Sequence, residues 1–229
     1  WINDTQRYHA QAIERYVYDL VMRCEYLSPV RVDFKYHQHV FSLSDALPYG
    51  RWAINRFEDI AYESVRTSQA PERPEARARI DTSLASQDRE RFFTNLYRDE
   101  DWRVFQYLRG YILKMERGED GANHFHCIFF FDANNRRSYS INRIIEVIGA
   151  RWERATGGRG FIFNCHNDRY QTMLRTQGRW ALEPFNIENE QQIERLAQYL
   201  VDYFAKEKGQ AVHIKPSPKS RVLNTGKIN

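Results

Sequence analysis

The chain has 229 residues, 42% of them hydrophobic, and 34 Lys/Arg against 30 Asp/Glu give a net charge of +4. That length suits the core of one domain, and no apolar run approaches the roughly 18 residues of a membrane span. The three cysteines, Cys24, Cys127 and Cys165, are odd in number and far apart, which argues against a disulfide framework or a cysteine zinc site.

In chain order, the hydrophobic pattern predicts a helix over 5–25, serving as a cap or an interface, and then a strand over 30–36. Asp33 lies on that strand, and its alternation allows either an approach to a site or a supporting, solvent-facing role. A helical region over 45–67, interrupted near Pro48, precedes a charged Pro/Ala/Arg/Ser stretch over 69–87 and a helix over 88–97. Residues 111–131 are rich in β-branched and aromatic types around a polar, Gly-containing turn and read as a β-hairpin. A helix over 141–155, strands near 160–165 and 180–183, and a helix over 189–208 complete the list. Helices interleaved with hairpin-joined strands predict an α+β single domain, with a central, mostly antiparallel sheet and flanking helices.

The hairpin carries the first candidate site. A turn symmetric about Asp120 sets Glu116 opposite His124 and Lys114 opposite His126, and period-2 alternation puts all four on one face. Opposed Cβ atoms sit about 5 Å apart, so two imidazoles and a carboxylate converge as ligands for a divalent cation. A lone His-x-His arises readily by chance. Here, however, both histidines fall in a very apolar run where unpartnered imidazoles are costly, and a carboxylate arrives in register.

The second candidate lies on the helix over 189–208, where Ile193, Leu196, Ala197, Leu200 and Phe204 form the apolar stripe. Tyr199, Tyr203 and Lys206 share the flank beside it, at spacings of four and three residues. A phenol ionises near pH 10, so it needs a nearby cation to attack an electrophile, and Lys206 supplies one. Taken alone, these are ordinary amphipathic tyrosines and a lysine that complements the helix dipole. Joined to the metal triad they suggest a nucleophile.

Together the residues resemble the HUH endonucleases, whose rolling-circle replication initiators carry a His-hydrophobic-His motif and a downstream Tyr-x-x-Lys helix. His124-Phe125-His126 and Tyr203-Phe204-Ala205-Lys206 match both motifs, and Glu116 corresponds to the upstream acidic ligand. The chain looks most like the inovirus-type (filamentous-phage-like) replication proteins, with Val30-Arg31-Val32-Asp33 as the initial strand. The likeness covers residues 29–229 in organisation and is specific at the motifs. It implies an N-terminal helix over 1–28, an HUH domain over 29–208 with 69–101 as a lineage-specific insertion, and a basic tail over 209–229.

The activity implied is site-specific nicking and joining of single-stranded DNA at an origin, through a 5′-phosphotyrosine on Tyr203, with Tyr199 as a second candidate nucleophile. Mg²⁺ or Mn²⁺ is the implied metal, although two imidazoles also accept Zn²⁺ or Fe²⁺. No Gly-x-x-x-x-Gly-Lys-Ser/Thr occurs, so a separate helicase is the implied partner, with no nucleotide cofactor and no membrane. The chain opens on Trp1 without a signal-like segment, which reads as a trimmed start of a soluble, cytoplasmic protein in a bacterial host cell.

Residues 206–229 hold six Lys/Arg against Glu207 alone, and Lys215, Lys219 and Arg221 there are candidate phosphate contacts. Arg136, Arg137, Arg143 and Arg151, with Arg154, Arg159 and the aromatic Trp152, form a second candidate DNA surface. Against it stands a solvated helix face with Trp152 buried. Two other classes fit parts of the pattern: a two-histidine, one-carboxylate non-haem iron oxygenase, which needs neither Tyr203 nor Lys206, and a non-catalytic DNA-binding regulator of the same fold.

Overall fold

In a computed structural model of the chain, the residues described are 4–37, 81–96, 101–117, 122–133, 139–205 and 223–227. The apolar, β-branched runs form three long neighbouring strands: β1 (Tyr26–Tyr36), β2 (Leu108–Arg117) and β3 (Asn123–Asp132). Short strands β4 (Gly160–Asn164), β5 (Phe185–Asn186) and β6 (Leu223–Thr225) extend them. The order is β4-β1-β3-β2-β6, with β5 also on β1, and every pairing is antiparallel. This is an α+β fold.

Alternation along the strands splits the side chains between two faces, and helices cover both. On the first face Val30, Val32 and Phe34 of β1 and Phe125, Cys127, Phe129 and Phe131 of β3 form an aromatic core. It is covered by α2 (Thr82–Phe93), the short α3 (Trp102–Phe105) and α4 (Ile141–Thr156). Trp152 of α4 is fully buried, stacks on Phe34 at 4.4 Å between ring centroids, and donates its indole N–H to the Lys35 carbonyl at 3.2 Å. On the second face Leu27, Ile112, Ile128 and Phe130 pack against α1 (Asp4–Val21) and α6 (Glu190–Leu200). Ile13, Val17 and Leu20 of α1 and Leu196 and Leu200 of α6 supply the covering surface. The fifth helix, α5 (Asp168–Thr176), adds Leu174 to this core.

Helix ends follow their capping chemistry. Asp81, Ser140, Asn167 and Asn189 each accept a backbone N–H of the first turn of α2, α4, α5 and α6. Gly157 closes α4 at φ 61°, a left-handed conformation that favours glycine. Gly110 lies at a register shift in β2, and a Cβ there would stand 2.3 Å from the Tyr16 hydroxyl, so only glycine lets α1 lie this close.

Several expectations need correction. The helix read over 88–97 runs Thr82–Phe93 and drives Phe92 into the first core. The strand expected near 180–183 is irregular chain, and pairing occurs instead at Phe185–Asn186. α5 was not foreseen. The final helix gives way after Leu200 to a π-helical turn, Val201–Ala205, which carries Tyr203. Part of the expected tail is sheet, because Leu223 is buried as β6 pairs with β2. Immediately after β6, Gly226 lies against the Tyr111 ring where no Cβ fits. The helical region over 45–67, the stretch over 69–80, Arg136, Arg137, Lys206, Lys215, Lys219 and Arg221 lie outside the described residues. No helix among the described residues is long and apolar enough to cross a membrane.

Candidate metal and tyrosine site

The β2–β3 register is the one the sequence implies, with Glu116 opposite His124 and Lys114 opposite His126. These residues extend the second face beyond Ile128 and Phe130, where the apolar covering gives way to charge. One ligand atom from each of Glu116, His124 and His126 falls within 4.8 Å of the others. Both imidazole Nε2 atoms approach the same carboxylate oxygen, Glu116 Oε2, at 3.1 Å from His126 and 3.7 Å from His124.

The donor set is oriented from behind. Lys114, almost fully buried, holds the other oxygen, Glu116 Oε1, at 2.7 Å and so turns Oε2 toward the histidines. Asp33 pairs with His126 across the β1–β3 ladder, and its Oδ1 lies 2.9 Å from His126 Nδ1, as an ion pair rather than an aligned hydrogen bond. His124 Nδ1 lies 3.5 Å from the Ala122 carbonyl, and its Nε2 faces Glu116. A carboxylate behind one imidazole and a carbonyl behind the other is the support that metal-binding histidines require. The three residues therefore fit a divalent cation.

Charge pairing also holds these side chains together, and a cation at the triad would displace the His126 proton. Burial disfavours the charge on Glu116, but hydrogen bonds from His124 and His126, with Lys114 beside it, hold its carboxyl far below the usual range. Burial likewise opposes charging His126, yet Asp33 and Glu116 outweigh it and push the imidazole up to about 9. Asp33 is held well below the ordinary carboxylate range by Arg31 and His126 against the penalty of burial.

Arg31 links this cluster to the tyrosines. It lies two residues before Asp33 on the same face of β1, is 2% exposed, and pairs with Asp33 at 3.4 Å. Its Nη1 donates to the Tyr199 hydroxyl at 2.6 Å and to the Tyr170 hydroxyl at 3.2 Å, and its guanidinium carbon lies 3.9 Å from the Tyr203 ring centroid. Tyr203 is partly buried, with its hydroxyl 3.1 Å from that of Tyr170 and the exposed Arg179 guanidinium 5.5 Å from its ring. A continuous chain of contacts thus runs from Tyr203 through Arg31 and Asp33 to His126. Tyr199 is buried rather than poised at the surface, and burial pushes its hydroxyl far above the ordinary value.

The arginine cluster of the first face divides. Arg143 is exposed and paired with Glu146. Arg151, expected on a DNA surface, is instead an internal strut. It is 4% exposed, donates Nε to the Phe92 carbonyl at 2.6 Å and Nη2 to the Thr94 carbonyl, and pairs with Asp101 at 3.1 Å. Arg154 closes on the same Asp101, and Arg159 pairs with the buried Asp88. The helix repeat brings Arg151 under α2, and Trp152 is in the core as the solvated-face reading held.

Sequence reasoning missed Tyr170, Arg179 and His166, whose Nε2 accepts the Arg31 backbone N–H at 3.1 Å. One signal was available: Asn167 followed by Asp168 is a helix start, and it places Tyr170 on the first turn of α5. No family model, no curated protein and no solved structure matches this chain.

Proposed function

We propose that the chain is a tyrosine-dependent nickase that cuts and rejoins single-stranded DNA at an origin, initiating rolling-circle replication of a phage, plasmid or related element. The observation that carries this reading is the contact chain joining a two-histidine, one-carboxylate triad to Tyr203 through Arg31 and Asp33. A metal with no partner nucleophile, or a tyrosine with no electrophile-activating site, would argue for less.

Glu116, His124 and His126 would hold the cation, and Mg²⁺ or Mn²⁺ suits a carboxylate-containing site with phosphate as the remaining ligand. Such an ion supplies charge withdrawal from a phosphodiester oxygen. The chain's own residues do the rest. Tyr203 provides the attacking oxygen, Arg31 fixes its ring by a cation–π contact, and Arg179 places an exposed guanidinium where a substrate phosphate can lie. Lys206, three residues beyond Tyr203, is a second candidate phosphate contact. Tyr199 suits a holding role, since its buried hydroxyl is committed to Arg31. A separate helicase is the expected partner.

The test is an SDS-resistant adduct between the protein and labelled single-stranded DNA from its own locus, in the presence of Mn²⁺. Wild type and Tyr199→Phe are expected to form it, whereas Tyr203→Phe and His126→Ala are not. DNA binding by all four without any adduct would move the non-catalytic DNA-binding reading to the front.

A further inference from the structure

The hydroxyl of the proposed nucleophile lies beside another phenol. Tyr170 lies on the first turn of α5, where Asn167 accepts its backbone N–H at 2.9 Å, and this cap fixes where the ring projects. Its hydroxyl oxygen is 3.1 Å from the Tyr203 hydroxyl oxygen and also accepts from Arg31 Nη1 at 3.2 Å. Arg31 is held in turn by Tyr199 and Asp33, so the guanidinium cannot turn away without breaking two further contacts. Because an arginine only donates, Tyr170 accepts from it, and at 3.1 Å either phenol can donate to the other, so the Tyr170 O–H is within reach to donate toward Tyr203 once that oxygen gains charge. A hydroxyl that accepts from a cation is the stronger donor for it. Burial first, and against it Arg31, leaves the Tyr170 hydroxyl firmly protonated, as a donor requires.

We propose that Tyr170 is a further catalytic residue of the nicking reaction, its hydroxyl relaying the Arg31 charge to the Tyr203 oxygen as that oxygen becomes a phenolate. The inference rests on the reading of Tyr203 as nucleophile. In the forward step the Tyr203 proton passes to solvent water and the phenolate oxygen bonds to phosphorus. The bond from phosphorus to the 3′ oxygen then breaks, and that oxygen takes a proton from water to become the 3′-hydroxyl. Tyr170 keeps its own proton throughout. In the rejoining direction the same donor stabilises Tyr203 as the leaving group.

The experiment is a single-turnover measurement of adduct formation with Mn²⁺ and single-stranded DNA from the chain's own locus, beside the Kd for that DNA. Tyr170→Phe is expected to slow the adduct step about 100- to 1,000-fold, the loss typical of one donor to a developing negative charge, with Kd unchanged within about twofold. Tyr170→His, a poorer fit to the packing but still a donor, should be faster than Tyr170→Phe; a packing role predicts the reverse order. The Tyr170→Phe deficit should persist on a substrate whose 3′-bridging oxygen is replaced by sulfur, since an easier leaving group does not help an unstabilised nucleophile. Normal rates in Tyr170→Phe, a deficit erased by the sulfur, or an adduct mapped by mass spectrometry to Tyr170 would each overturn the proposal while leaving the nickase standing. A wild-type chain that binds the DNA and yields no adduct would overturn the nicking reading and this proposal with it.

Discussion

One strand, β3, builds two unlike regions. Phe125, Cys127, Phe129 and Phe131 point to the first face and are sealed under α2 and α4, whereas His124, His126, Ile128 and Phe130 point to the second. There burial loosens along the strand, from fully buried Phe130 and Ile128 to the partly exposed histidines. The first face is a core throughout. The second is a core at one end and a charged site at the other, so it holds the metal triad rigidly without enclosing it.

The largest effect that separates the two should come from the first face. Phe129→Ala removes a fully buried ring that meets Phe34, Phe92, Phe93 and Tyr111, and is expected to cost about 3–5 kcal/mol in urea unfolding. Arg151→Ala should be comparable, because two backbone carbonyls at the C-terminal end of α2 lose their buried donor and Asp101 loses one of its two arginine partners. By contrast His124→Ala, with its side chain at the rim, should change apo stability by under about 1 kcal/mol. Loss of the folded state in His124→Ala at neutral pH would show that the triad is part of the core and would break the contrast.

Metal addition should sharpen it. Mn²⁺ at a hundred times its Kd is expected to stabilise the wild-type chain by about 2.7 kcal/mol, read as a rise in melting temperature. The rise should survive Arg143→Ala and vanish in His124→Ala, His126→Ala and Glu116→Gln. A rise of equal size in the triad variants would place the metal elsewhere.

How much of this was legible follows from the same division. The triad could be read because a hairpin's register is a local property: once the turn was placed, Glu116, Lys114, His124 and His126 had to share a face, and they do. The tyrosine cluster could not be completed that way. Arg31, Tyr170 and Tyr199 come from β1, α5 and α6, and only the tertiary fold brings them to one guanidinium. Arg151 was misread because charge on a helix usually faces water, whereas here α2 ends in unpaired carbonyls that need a buried donor. β6 was missed because three residues near a Lys/Pro/Ser-rich stretch carry no period, and the edge of β2 supplies the template.

A smaller effect concerns pH. Burial, together with Arg31 in the case of His166, holds His37 and His166 down at about 4 against an ordinary value of 6.5. The unfolded chain therefore takes protons below pH 6.5 that the folded chain refuses until about 4, so stability is complete above 6.5 and lost as pH falls through that window. Each histidine should account for about 1–3 kcal/mol of the loss by pH 4. His166→Gln keeps an acceptor for the Arg31 N–H and should flatten the acid limb while changing stability at pH 7 much less. An unchanged acid limb would mean that other groups govern it.

The smallest expected effect tests where DNA lies. Arg143 sits on α4, over the first face and so across the sheet from the triad, in an exposed pair with Glu146 worth under about 0.5 kcal/mol. Arg179 is also exposed, but beside Tyr203. If single-stranded DNA runs over the second face, Arg179→Ala should weaken binding and lower the slope of log Kd against log salt by about one phosphate contact, while Arg143→Ala leaves both unchanged. Both variants should melt with the wild type, so the comparison is one of binding alone. The opposite result, with the slope falling only in Arg143→Ala, would put the DNA on α4. The tyrosine would then stand on the wrong side of the sheet from its substrate, and the shared strand β3 would separate binding from chemistry rather than join them.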